Sequence, residues 1–164
     1  MTNTYHAKPY DMSKMGFYFT DMESYQAGVE ASGAEEFELE FIDGDAAELF
    51  KACEINQANL EEWFDDVEML DDHEKVALFY LMDNGICSDL SDAISKIDDV
   101  SISQCSLRDA AEELFDECYL HDVPETVRAY IDYDAFARDC EMGGDMDEFT
   151  FNGTTYTCTN ANCI

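Results

Sequence analysis

The stretch Leu60 to Gly85, LEEWFDDVEMLDDHEKVALFYLMDNG, constrains the fold more than any other part of the chain. Its second half, Val76 to Met82, is an unbroken apolar run long enough to be buried on most sides. Its first half places Leu60, Trp63, Phe64, Val67 and Leu70 on one stripe at helical spacing. The opposite face carries Glu61, Glu62, Asp65, Asp66 and Glu68, and Asp71, Asp72 and Glu74 follow at the junction. Surface helices ordinarily intersperse lysines there, because like charges at i,i+4 each cost roughly 0.2–0.5 kcal/mol. A chain with such a run beside such a face builds a core and coats it with one sign of charge.

The totals extend that conclusion to the whole molecule. A length of 164 residues accommodates one compact domain or two to three small ones. Hydrophobic content of 46% and aromatic content of 13% exclude a disordered acidic tail, which would lack the apolar area to offset chain entropy. Acidic residues number 39 against 8 basic ones, a formal net charge of −31, which exceeds what solubility requires and strains the compact state by self-repulsion. Nucleic acid and anionic membrane surfaces are thereby excluded as direct ligands. The partners that remain are basic: a DNA-binding groove, a divalent cation or concentrated salt.

No N-terminal segment reads as a signal peptide, and no apolar run approaches the roughly 18 residues of a membrane-spanning helix. Seven cysteines (Cys53, Cys87, Cys105, Cys118, Cys140, Cys158 and Cys163) are odd in number, contain no CxxC and mostly fall on apolar stripes. They read as reduced thiols of a cytoplasmic protein.

Along the chain, Met1 to Asp11 is polar and short of pattern, with Lys8-Pro9 marking an extended or turn segment. Gly16 to Thr20 reads as a short strand, and Asp21 as the cap of a helix reaching about Ala31 before Ser32-Gly33. Glu36 to Ile42 alternates strictly, Phe37, Leu39 and Phe41 against Glu36, Glu38 and Glu40, which predicts a half-buried strand with an anionic outer face. Between Met15 and Phe50 there is no basic residue. Asp43-Gly44-Asp45 is expected to turn the chain and cap a helix over Ala46 to Glu54, and Asn84-Gly85 to close the buried helix with a left-handed cap. A short helix follows over Asp89 to Ile97, then a brief strand or coil at Ser101 to Cys105. Ser106 starts the next helix, with Leu107, Ala110, Ala111, Leu114, Phe115 and Cys118 as its stripe. Glu112, Glu113, Asp116 and Glu117 lie away from that stripe, and carboxylates four apart sit about 6 Å apart along a helix axis, a spacing like that of a phosphate backbone. Glu148 to Cys158 reads as a hairpin turning at Asn152-Gly153.

Pro124 is expected at a first helical position after the His121-Asp122-Val123 link. The segment after it, Ala129-Tyr130-Ile131-Asp132-Tyr133-Asp134-Ala135-Phe136-Ala137-Arg138-Asp139, resembles the C-terminal signature of ArdA antirestriction proteins, a YIDY segment followed by an aromatic and an Arg-Asp pair. Ala110 to Glu125, AAEELFDECYLHDVPE, is similar to that family's short antirestriction motif. Phe17 to Thr20, the acidic helix after it and Glu36 to Ile42 match the family's N-terminal order. Met1 to Met15 departs from it, being shorter than the family's opening strand and turn, so a reduced N-terminal unit is expected.

The resemblance implies an elongated α+β protein: a small N-terminal mixed α/β unit (residues 1–58), a helical middle unit (59–100) and a helical C-terminal unit ending in a β-hairpin (101–164). It implies a cytoplasmic, non-enzymatic homodimer without cofactor that occupies the DNA-binding groove of type I restriction–modification enzymes. Duplex DNA carries one charge per about 1.7 Å, so 31 charges match roughly 50 Å of duplex. The expected DNA-mimic surface comprises Glu61, Glu62, Asp65, Asp66, Glu68, Glu112, Glu113, Asp116, Glu117, Asp132, Asp134 and Asp139. Tyr130, Tyr133 and Phe136 are expected in core or dimer packing, and Arg108, Arg128 and Arg138 as partners of neighbouring acids.

Rival readings are weaker. Asp43 to Glu54 has the length of a calcium loop but places Ala47 and Glu48 where a ligand and the turn glycine belong, and Asp145 to Tyr156 lacks the final glutamate. His6, His73 and His121 have no metal-ligand neighbours at a recognised spacing, and no nucleophile elbow, P-loop or dinucleotide motif appears. An acidic adaptor or a salt-adapted protein without a restriction-enzyme target is the runner-up.

Overall fold

The computed structural model describes residues 2–164 as two compact units, Met1–Ile97 and Asp98–Ile164. In the first, β1 (Thr4–Pro9) is the centre of a three-stranded antiparallel sheet, between β2 (Phe17–Phe19) and β3 (Phe37–Asp43). Tyr5 lies opposite Phe19 on one side and Phe41 on the other, and Ala7 opposite Phe17 and Leu39, so one face of the sheet is almost wholly aromatic and aliphatic. The N-terminal stretch expected to be patternless is therefore the middle strand of the sheet. Its inward residues are only Tyr5 and Ala7, both fully buried, too short an alternation to stand out in sequence.

Helix α1 (Met22–Ser32) begins with a reciprocal cap: the Asp21 carboxylate accepts the Ser24 amide at 2.7 Å, and the Ser24 hydroxyl oxygen accepts the Asp21 amide at 3.2 Å. Gly33, at φ +65°, ends it in the left-handed conformation. Gly28 lets the helix lie on the sheet, since a Cβ there would stand 2.2 Å from the Phe17 ring. Helix α2 (Ala47–Ala52) starts from Ala46 rather than from Asp45.

The segment after Asn59 is not a uniform α-helix. One turn, α3 (Leu60–Glu62), opens into a π-helical turn over Trp63–Val67, where the Glu68 amide donates to the Trp63 carbonyl. The expected stripe survives: Leu60, Trp63 and Val67 are fully buried. Helix α4 (Asp72–Asp83) is capped reciprocally by Asp71 and Glu74, buries Val76 to Leu81 and gives way to Gly85 at φ +65°. Helix α5 (Leu90–Ser95) follows, capped by Asp89. Tyr5, Phe50, Trp63 and Phe64 share ring contacts, so the segment after Asn59 joins the sheet's core within the unit Met1–Ile97.

The second unit has its own sheet, β4 (Ile102–Ser103), β6 (Thr154–Cys158) and β5 (Asp147–Phe151) in that spatial order. Asn152 at φ 50° and Gly153 at φ 74° form the hairpin turn, both central residues in the region that such turns require. Helices α6 (Leu107–Cys118) and α7 (Tyr133–Gly143) pack through Ala110, Ala111, Ala137 and Cys140, with Met146, just beyond α7, in the same cluster. Between them run two 3-10 turns, Leu120–Asp122 and Glu125–Tyr130, with no buried residue. Pro124 stands at the cap of the second turn rather than inside a helix. The expected mixed α+β class, with a terminal strand pair, is what the chain adopts. None of the seven cysteines is paired in a disulfide; Cys118, placed by spacing on the α6 stripe, is exposed. No helix among the described residues is long and apolar enough to cross a membrane.

Candidate functional site

The carboxylates singled out from the sequence fall into two groups, one in each unit. Glu61, Asp65 and Asp66 are exposed on the π-helical segment, and Glu62 is half-buried beside them. Glu68 differs. The wide turn carries it round toward the face of Trp63, and its carboxylate accepts hydrogen bonds from the Tyr5 hydroxyl at 2.7 Å and the Asn3 amide at 3.2 Å. The Trp63 indole donates to the same Tyr5 oxygen at 2.8 Å, and burial with the Glu68 bond pushes the Tyr5 phenol above its ordinary value. Glu68 is therefore an internal acceptor, tying the acidic segment to β1 across more than sixty residues of sequence.

In the second unit, Ser106 caps α6 by accepting the Asp109 amide at 3.2 Å. From there Asp109, Glu113 and Glu117 recur at every fourth position, with Glu112 and Asp116 as a second row. These five side chains line one shallow, open acidic groove. Asp109 belongs to it although the functional reading omitted it. The i,i+4 series that placed Glu113 and Glu117 extends back to Asp109 and would have found it.

Helix α7 grips this acidic helix from the side. Tyr133 donates its hydroxyl to Asp116 at 2.6 Å, which raises the phenol above its usual range. Arg108 reaches Glu112 at 2.6 Å through Nη1 and Asp134 at 2.9 Å through Nε. Beneath these polar ties the Phe115 ring meets Tyr133 and Phe136 edge-on, with centroids 5.6 and 5.1 Å apart. Tyr133 and Phe136 thus pack within the unit, whereas Tyr130 is 84% exposed. Asp132 uses its side chain to cap α7 through the Ala135 amide, and Asp139 stands exposed on the outer face. Arg128 bonds the Val123 carbonyl rather than an acid, and Arg138 is exposed.

On the sheet of the first unit, the outer face expected to be anionic is partly neutralised. His6 Nδ1 lies 3.0 Å from Glu40, and Lys8 Nζ 3.3 Å from Glu38, both side chains brought in by β1. Even so, 23 acidic residues face five lysines in the first unit, and 16 face three arginines in the second. Neither unit is a neutral scaffold for the other.

A mixed α+β chain with a large excess of carboxylates in both units, rowed in the second on the capped helix α6, is an acidic protein throughout. It belongs to the ArdA antirestriction protein family, whose model matches residues 10–155 of the 164. No curated protein sequence matches the chain. Its family activity is antirestriction, the inhibition of type I restriction enzymes, and members of the family act as inhibitors.

Proposed function

We propose that the protein inhibits by DNA mimicry, lodging its carboxylates in the DNA-binding groove of a type I restriction–modification enzyme in the cytoplasm. The observation that carries this reading is the α6 groove, five carboxylates in two rows on a helix held in place by a cap, an ion-pair bridge and an aromatic underlay. Fixed anions meet the target's lysines and arginines without an ordering cost, which is what a phosphate backbone also offers. A mimic needs only the sequence-independent phosphate contribution, which supplies nearly all non-specific affinity. Glu61, Asp65 and Asp66 would extend the same chemistry in the first unit. The dimer belongs to the proposal as well, with exposed Tyr130 as its candidate contact.

The test is titration of the protein into a type I methyltransferase that already holds a fluorescent duplex. Displacement should occur and should weaken steeply with added salt. Glu113→Gln with Glu117→Gln should leave the fold intact, relieving like-charge repulsion on α6, yet displace several-fold less duplex. An enzyme indifferent to a large excess of protein would favour the acidic adaptor.

A further inference from the structure

We propose that Arg108 is a positioning residue for inhibition: its guanidinium locks Glu112 of α6 to Asp134 of α7, so that the neighbouring free carboxylates present one rigid row. The inference rests on the mimicry reading above and adds to it a residue of the opposite charge. Arg108 lies in the first turn of α6, where the helix dipole disfavours a cation. Among the described residues its guanidinium nonetheless has three carboxylates within 4 Å, Glu112 at 2.6, Asp134 at 2.9 and Asp109 at 3.8 Å. Different nitrogens take the two helices, Nη1 toward α6 and Nε toward α7, which the planar fork allows and a lysine ammonium does not.

Half-exposed pairs of this kind add little to global stability. What this one supplies is separation. Glu112, Asp116 and Asp134 converge where the two helices meet, and without a cation between them their repulsion would splay the row. The Tyr133–Asp116 bond is a second tie from the same first turn of α7, so α7 holds α6 at two levels. Glu113 and Glu117 are exposed beside these ties, at the spacing the helix sets, and the ties fix the direction in which α6 presents them.

The experiment separates charge from geometry. Arg108→Gln makes the protein more acidic, so charge alone predicts stronger displacement of duplex from the methyltransferase. Positioning predicts a loss of roughly three- to tenfold, with circular dichroism and thermal midpoint close to those of the parent. Arg108→Lys should recover only part of that loss. Asp134→Asn releases the clamp from its other end, and the double variant Arg108→Gln with Asp134→Asn should lose no more than Arg108→Gln alone. Displacement by Arg108→Gln equal to or better than the parent's, or full recovery with lysine, would overturn the proposal. If the unmodified protein displaces no duplex, mimicry fails first. The clamp is then decided by the Arg108 Nε–H resonance in solution: slow exchange that Asp134→Asn abolishes upholds it, and a freely averaged guanidinium refutes it.

Discussion

At the scale of single residues, the Tyr5 hydroxyl joins two side chains of the acidic segment, accepting from the Trp63 indole and donating to Glu68. Tyr5→Phe removes both bonds and leaves a buried indole N–H without its acceptor. The expected loss is about 1–3 kcal/mol of unfolding free energy, read from urea denaturation followed by tryptophan fluorescence. Trp63 is the single tryptophan, so the same probe reports the site itself. Asp21 carries a pH dependence of defined sign. Its carboxyl is held below the ordinary value by the Ser24 amide and then by the Ser24 hydroxyl. The folded state therefore binds fewer protons there, so the cap contributes fully above about pH 4 and is lost as pH falls through the lowered folded value. The gap in thermal midpoint between the parent and Asp21→Ala should be widest near neutrality and should narrow as the pH is lowered past the ordinary aspartate range.

Elements were legible wherever local chemistry decides them. Asp21 and Gly33 bound α1, Gly85 closes α4, Ser106 starts α6, and Asn152-Gly153 makes the hairpin, each because a short-range cap or turn fixes the backbone within a few residues. Two elements escaped for opposite reasons. Strand β1 derives its stability from neighbours on both sides, and its own residues carry only two inward positions. The π-helical turn after Glu62 adds a residue to one turn, a change that hydrophobic spacing does not resolve over so short a stretch. Gly28 shows how packing reverses a propensity. Alanine in a helix interior ordinarily gains roughly 0.5–1 kcal/mol over glycine, but a Cβ at position 28 would meet the Phe17 ring at 2.2 Å. Overpacking costs about 1–3 kcal/mol, so Gly28→Ala should lower the thermal midpoint despite its better propensity.

On the scale of the whole molecule, salt acts on folding and on inhibition in opposite directions. A net charge of −31 repels itself across both units, and raising ionic strength from about 0.01 to 0.15 M shortens the screening length from roughly 30 to 8 Å. The thermal midpoint should rise over that range while inhibition of the restriction enzyme falls. A salt-adapted protein would instead need molar salt to fold, and the pair of titrations distinguishes the two.

What the sequence alone determined is the sign of the surface, the apolar stripes beneath it and the caps that bound α1, close α4 and open α6. Charge sums without regard to fold, and periodicity and caps act over a turn or two of chain. Which carboxylates stand free was decided only by the tertiary structure. Glu68 is occupied by Tyr5 and Asn3, Asp116 by Tyr133, and Glu112 and Asp134 by Arg108, whereas Glu113 and Glu117 stand exposed on the same helix as two of these. Most of these donors come from segments distant in sequence, and a side chain's partners follow from how helices and strands are packed, which no local pattern encodes.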